Sequence, residues 1–199
     1  VLCVSMMRGD AQLPRIGLML LVCVLGVHAL LQRTAENIGR DYAKAQGIDP
    51  DTVRAIAQPL SPLHWKVVVP DAQGYRTAHV RLTGRSGFPP VLAEWLGLGT
   101  LLHAYRAKDD AEWRRHLLFG ASTDDAALVR SVWRHPLLSR FRRFAAWPAL
   151  YRIDRTTAGL CIWFTDLRFT LPSLKPAFRF GLCRADGDAA WQLHRIRLF

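Results

Sequence analysis

Between Arg15 and Arg33 the chain runs IGLMLLVCVLGVHALL, Ile16 to Leu31, with no charge and with His28 as its one strongly polar residue. Counted with Gln32 the run is 17 residues, the short end of the roughly 17–25 that a helix needs to cross hydrocarbon. Three structures suit such a run. It can be a transmembrane helix whose flanking arginines snorkel to the two interfaces. It can be a secretory signal peptide, with Arg8 and Arg15 as the basic segment and Val27-His28-Ala29 resembling a small-x-small cleavage site. It can be a buried core helix, which fits this length and purity least well. The residues that follow favour the anchor. Leu31, Ala35, Ile38, Tyr42 and Ala45 keep a 4-3-4-3 spacing, so one helix is expected to continue past the membrane as an amphipathic stalk. A cleaved signal peptide would leave that stalk without its upper half.

The rest of the chain is organised around this helix. Gly47 reads as its C′ residue, where positive φ costs little. Upstream, VLCVSMM is too short to span a bilayer and suits the end of a truncated preceding helix, linked by RGDAQLPR. The expected divisions are a lead over 1–15, a membrane helix and stalk over 16–46, and a soluble α+β domain over 47–199. Half of the residues are apolar and 22% are charged, which excludes a disordered chain. A polytopic arrangement is excluded within this chain, since no second stretch is long and apolar enough. Four cysteines are too few for a disulfide-built scaffold.

After the stalk, Asp49-Pro50 looks like an N-cap followed by Pro at N1, opening a short helix through Val53, Ile56 and Ala57 that Pro59 and Pro62 end. From His64 the period becomes two. The segments 64–69 and 75–82, joined by Pro70-Asp71-Ala72-Gln73-Gly74, read as a β-hairpin. Trp65, Val67 and Val69 share one face of its first strand; Ala78, Val80 and Leu82 share one face of the second, with Arg76 opening that row. The middle reads as helical: 90–105 on its leucines and Trp95, a short helix over 111–119, and a helix through Ala127 to Trp133 with N-cap choices at Ser122 to Asp125. Pro136 interrupts it, and a further turn carries Leu137, Leu138, Phe141 and Phe144. Four strands are expected over 150–155, 160–168, 177–184 and 190–198, with a β-bulge between Leu193 and Ile196 where the apolar phase slips. The sum is a mostly antiparallel sheet with inserted helices, hung on a membrane helix.

Charge narrows the partners. Lys and Arg number 27 against 16 acids, a net charge of +11, and a chain this basic seeks phosphate in nucleic acid or anionic lipid. The stretch Arg140-Phe141-Arg142-Arg143-Phe144 mixes cations with aromatics, suiting either a nucleic-acid backbone or anionic lipid headgroups, with Phe141, Phe144 and Trp147 at the interface. No nucleic-acid module is recognisable, and beside a membrane helix the lipid reading is preferred. The seven histidines never fall within four residues of one another and no metal motif is present, so they are taken as solvated or structural and no metal is assigned to this chain. Cys161 and Cys183 fall on neighbouring strands, but alternation sets Cys161 with Trp163 and Cys183 with Arg179, and two free thiols are the preferred state. No phosphate loop or nucleophile elbow supports nucleotide hydrolysis or α/β-hydrolase chemistry. Asp166 and Arg168, two apart on a strand, should share a face and pair across a solvated sheet surface.

The order of the pieces carries a resemblance. Gln58-Pro-Leu-Ser-Pro-Leu-His-Trp-Lys-Val-Val-Val69, then Phe144-Ala-Ala-Trp-Pro-Ala-Leu-Tyr151, Phe164-Thr-Asp-Leu-Arg-Phe169 and Phe178-Arg-Phe-Gly181 resemble the C-terminal half of the bacterial membrane-bound metal-dependent hydrolase family. Its members are also described as LexA-binding, inner-membrane-associated hydrolases. The likeness spans about Ile16 to Arg184. It implies a multi-pass protein whose N-terminal helices carry the His and Asp residues of a divalent metal site. This chain has one membrane helix and none of those motifs, so no catalytic or metal residue carries over. Trp65, Trp147, Asp166, Arg168 and Phe180 match motif positions whose role is not established.

The resulting expectation is the last membrane helix and soluble domain of such a hydrolase, not catalytic by itself. The alternative is a single-pass or secreted basic module that binds anionic lipid or cell-envelope polymer. Basic residues flank the apolar run almost evenly, two before and three in the fifteen residues after, so the positive-inside rule does not orient it. The basic domain slightly favours the cytoplasmic face of a bacterial inner membrane.

Overall fold

The computed structural model describes residues 12–59, 61–83, 95, 99–120, 123–187 and 190–196. Helix α1, Gln12–Ala45, is 34 residues long and changes environment along its length. Its apolar window has no buried residue and is long enough to cross a membrane. Ile16, Leu18, Met19, Val24 and Leu30 all stand more than half exposed. The stalk behaves differently: Ala35, Ile38, Gly39 and Ala43 are buried against Val53, Trp65, Val67, Val69, Ala78 and Val80. At Gly39 helix and sheet come into close contact. A Cβ there would lie 2.5 Å from Val67 Cγ1 and 2.6 Å from Val53 Cγ1. Gly47 ends the helix at φ +67°, and the Ile48 N–H returns to Ala43 O at 2.8 Å, as the C′ assignment required.

Asp49 does cap a turn, accepting the Asp51 N–H at 3.0 Å, but the helix expected through Ala57 is not there. It stops as a 3-10 turn at Pro50–Thr52, and Arg54–Ala57 forms strand β1. Val53 and Ala55 alternate into the core, and β1 supplies the edge that β2 (His64–Asp71) pairs with, Arg54↔Val68 to Ala57↔Trp65. The predicted hairpin of β2 with β3 (Gly74–Arg81) is present. Its link is tighter than expected, with the Asp71 carboxylate accepting the Gln73 N–H at 2.9 Å. Helix α2 covers Gly99–His103. The short helix expected over 111–119 is instead strand β4, Arg114–Leu117, because the outer edge of β3 offers unpaired backbone groups that only a strand can satisfy. The first sheet is thus β1-β2-β3-β4, antiparallel throughout.

Helix α3, Thr123–Arg134, ends before Pro136, a 3-10 turn follows, and α4 spans Ser139–Phe144. The second sheet is β5 (Pro148–Thr156), β6 (Gly159–Asp166), β7 (Arg179–Ala185) and β8 (Gln192–Ile196), again antiparallel in that order. Val129, Val132, Leu138 and Phe141 pack on Ile162, Phe164 and Leu182 of this sheet. The expected bulge in the last strand is absent: β8 pairs with β7 without a break from Gln192↔Cys183 to Ile196↔Arg179. Arg195 takes the inward position opposite Phe180, its guanidinium 4.7 Å from the ring centre, so no extra residue is needed. The irregularity lies in β5, between Leu150 and Arg152.

The expected free thiols are corrected as well. Cys161 and Cys183 are opposite one another in the β6–β7 register and form a disulfide. Each alternation was read correctly, but register decides that the two faces are the same one. Residues 1–11 of the expected lead, most of the 90–105 helix, Ser122 and Leu198 lie outside the described residues, while Gln12 to Arg15 of that lead open α1. The fold is α+β: a long apolar helix followed by two antiparallel sheets with short helices.

Candidate functional site

With α1 on one face of the first sheet, the alternating residues of β2 and β3 point to the other. In register, Lys66 lies opposite His79 and Val68 opposite Thr77, while Tyr75 lies opposite His116 of β4. An antiparallel sheet commonly leaves such a face wet. Here the 3-10 turn Leu167–Phe169, at the end of β6, closes over it. Lys66, fully buried, donates to Leu167 O at 2.7 Å, to Thr170 Oγ1 at 2.8 Å, and also to Thr170 O. One lysine therefore joins the two sheets.

The surroundings are polar but dry. Burial lowers the Lys66 ammonium to about 7, with Asp166 pulling the other way. Burial, then the charges of Lys66, Arg114 and His116, lowers His79 to about 3. Burial, Lys66 and Arg114 lower His116 to about 4, and its Nε2 lies 2.9 Å from Thr77 Oγ1. His64 is lowered by burial and by Arg81, and its ring lies 4.5 Å from that of Tyr105. The histidines are thus neutral at pH 7. Among the described residues neither nitrogen of His64 nor Nε2 of His79 has a hydrogen-bond partner, an unusual state for groups this enclosed. Lys66 is the one member of the cluster that still takes up a proton near neutral pH, and as an ammonium its three donors are all committed to oxygen. It acts as a clamp, not as a free amine ready to attack or take a proton.

Asp166 and Arg168 extend this joint. They pair, but not across a solvated strand face as expected. Asp166 is the last residue of β6 and is fully buried, and Arg168 sits in the turn that Asp166 caps. Oδ1 accepts the Arg168 N–H at 3.0 Å, and Oδ2 accepts Arg168 Nε at 2.8 Å and the Ala146 N–H at 3.0 Å. Arg168 then donates to Phe144 O at 2.6 Å, its guanidinium 4.8 Å from the Phe144 ring and 5.0 Å from Phe169. Trp147, half-buried, accepts the Leu167 N–H at its carbonyl, 2.9 Å away. Asp166, Arg168, Phe144 and Trp147 are therefore brought together, next to Lys66.

The other singled-out residues lie elsewhere. Trp65 is buried on the helix side of the first sheet, its ring 5.1 Å from His28 and its Nε1 donating to Pro62 O at 2.8 Å. Phe180 stacks on Phe141 at 4.8 Å. The basic-aromatic stretch does not form one surface: Arg140, Arg143 and Phe144 are exposed, but Phe141 is in the core. Arg142 turns back to donate to Trp133 O and His135 O, where it meets the carbonyls that end α3. Lys66, His64, His79 and His116 were not singled out from the sequence. A signal was there: Val67-Val68-Val69 directly after Lys66 implies a strand buried on both faces, so a lysine among them must be paired.

Among the described residues no group of three His, Cys, Asp or Glu side chains could hold a metal ion. The buried histidines surround an ammonium, a poor setting for a second cation, so they do not fit the divalent metal that the resemblance implies. Neither the family models, nor the curated proteins, nor the solved structures contain a match to the chain.

Proposed function

We propose that this chain is the last membrane helix and soluble domain of a membrane-bound, metal-dependent hydrolase. It serves as a non-catalytic module that covers, regulates or binds substrate beside a metal site held elsewhere. One observation carries this reading: three of the segments that bear the resemblance meet at a single joint. Lys66 comes from the first, the Phe144 and Trp147 carbonyls from the second, Asp166 and Arg168 from the third. The motif residues then form a framework that fixes the second sheet on the first, and the first sheet is packed on the membrane helix. A framework of this kind suits a domain held at a set position over the bilayer.

The test is the DNA upstream of Val1 in the same frame. An open frame encoding apolar helices with paired His and Asp, and metal-dependent hydrolysis by the longer product alone, is the expected result. EDTA-sensitive turnover by the present chain would sink the non-catalytic assignment. An in-frame stop would leave the alternative, a basic binding module.

The same reading assigns the soluble domain to the oxidising side of a bacterial inner membrane, not to the cytoplasmic side that net charge slightly favours. The Cys161–Cys183 bond supports this, since disulfides persist in oxidising compartments and are rare in a reducing cytosol. A C-terminal alkaline phosphatase fusion should be active in cells, and an inactive fusion would reverse the assignment.

A further inference from the structure

Helices α3 and α4 cover the inner face of the second sheet only as far as β7. On β8, Leu193 and Arg195 lie in register with Leu182 and Phe180 and so face the same way, but among the described residues neither α3 nor α4 closes over them, and it is the 3-10 turn Pro136–Leu138 that reaches β8. A groove of about 340 Å³ is left between α4 and β8, lined by Leu137, Arg140, Phe141, Phe144, Phe178, Phe180, Leu193 and Arg195. Its size falls at the small end of ligand clefts, about 300–1,000 Å³.

Two features set this groove apart. Outside α1, the large apolar side chains left exposed among the described residues are Trp95, Leu137, Phe144, Leu174, Phe178 and Leu193. Four of those six line the groove, so the exposed apolar surface is gathered at one place, as at binding sites, and not scattered as on an ordinary surface. Both of its cations are exposed guanidinium groups, and neither Arg140 nor Arg195 has an acidic partner among the described residues. The Arg195 guanidinium lies over the Phe180 ring, 4.7 Å from its centre, which places a cation against the aromatic wall of the groove. An apolar trough with two unneutralised guanidinium groups complements a molecule with an apolar body and a compact anionic head, which planar arginine forks bind through paired N–H groups.

We propose that the groove between α4 and β8 binds a single-chain anionic amphiphile, an alkyl chain ending in a carboxylate, with the chain along Phe141, Phe144, Phe178 and Phe180 and the head between Arg140 and Arg195. This goes beyond the hydrolase reading and does not depend on it, since a complete binding module would use the same groove.

The test uses the full chain in nanodiscs of zwitterionic lipid, titrated calorimetrically with decanoate, the heat of empty nanodiscs being subtracted. Saturable binding of one decanoate per chain is expected, with weaker binding of decanol and none of decyltrimethylammonium. The double variant Arg140→Gln/Arg195→Gln should weaken decanoate binding by about tenfold or more, since each charge-assisted contact outweighs a neutral one. Leu193→Glu, at an exposed strand position, puts a carboxylate into the groove and should abolish binding while circular dichroism and melting stay as in the wild type. Absence of saturable decanoate binding would overturn the proposal. So would equal binding of all three amphiphiles, or unchanged affinity in both folded variants.

Discussion

The two sheets have the same strand count and the same antiparallel order, yet they are used differently. The first is closed on both faces: α1 covers Trp65, Val67 and Val69, while on the other side the turn after Asp166 covers Lys66 and Tyr105 packs on His64 and His79. The second is closed on its α3 side only as far as β7 and is tied across its opposite face by a disulfide. The difference follows from composition. Strand β2 is buried over six consecutive residues, His64 to Val69, so it must be covered twice. Strand β8 reads Gln-Leu-His-Arg-Ile, and a guanidinium at an inward position keeps that edge from being sealed. The first sheet works as a bearing between the long apolar helix α1 and the rest, and the second leaves the groove beside β8 open.

The largest effect should come from the joint between them. Asp166→Ala removes a buried carboxylate and leaves Arg168 and the Ala146 N–H without their acceptor. Breaking a buried pair from one side costs about 3–5 kcal/mol, a large share of the roughly 5–15 kcal/mol that holds a domain together. Urea unfolding of the protein in nanodiscs should show a midpoint far below wild type. A loss under about 1 kcal/mol would mean that the two sheets do not depend on this contact.

Next is the disulfide, present on the second sheet alone. Its ends are 22 residues apart, and closing a loop of that size stabilises by about 3 kcal/mol through the unfolded chain. Cys161→Ala/Cys183→Ala should lower stability by about that amount. Hydrogen exchange should quicken in β6 and β7 while β2 and β3 keep their protection. Equal loosening of both sheets would show that they unfold as one unit.

How these contacts arise explains what the sequence disclosed. The hairpin, the 3.6-residue stripe of the stalk and the Pro136 break were legible because each is a local pattern. Strand β4 was not, since Arg114–Leu117 becomes a strand only because β3 offers an edge. The disulfide and the Lys66 clamp were hidden for the same reason: Cys161 and Cys183 are joined by register, and Lys66 reaches Thr170 across 104 residues of chain. Of the candidate site, Asp166 and Arg168 were visible as a pair, but the burial that gives them weight was not.

Acid should attack the first sheet through its histidines. An unfolded histidine takes a proton near 6.5, whereas folded His79 and His116 resist until about 3 and about 4. The unfolded state therefore binds more protons between those limits, and stability falls as pH drops from about 6.5 toward 4, by a few kcal/mol in all. Lys66 follows the same sign higher up, with stability rising between about 7 and 10.5. His79→Phe loses no bond at Nε2, which has no partner among the described residues, and should flatten the acid limb while leaving stability near pH 7.5 within about 1 kcal/mol of wild type. A melting profile over pH 4–8 as steep as wild type would remove His79 from the account.

The smallest effects separate two ways in which α1 could be held to the first sheet. Gly39→Ala gains helix propensity of up to about 1 kcal/mol. Its Cβ, however, meets Val67 and Val53 at 2.5–2.6 Å, and overpacking a closed contact costs about 1–3 kcal/mol. The contact should win, and the variant should be less stable with α1 displaced from β2. Lys108→Ala removes the ion pair with Asp41 of the same helix, 3.2 Å long with both side chains more than half exposed. A pair that wet contributes about 0–1 kcal/mol, and melting should barely move. If the order were reversed, with Lys108 mattering and Gly39 silent, the stalk would be steered by charge and would loosen with salt. The expected order makes it a close-packed apolar seat that salt does not touch, and that rigidity carries the position of α1 through to the second sheet.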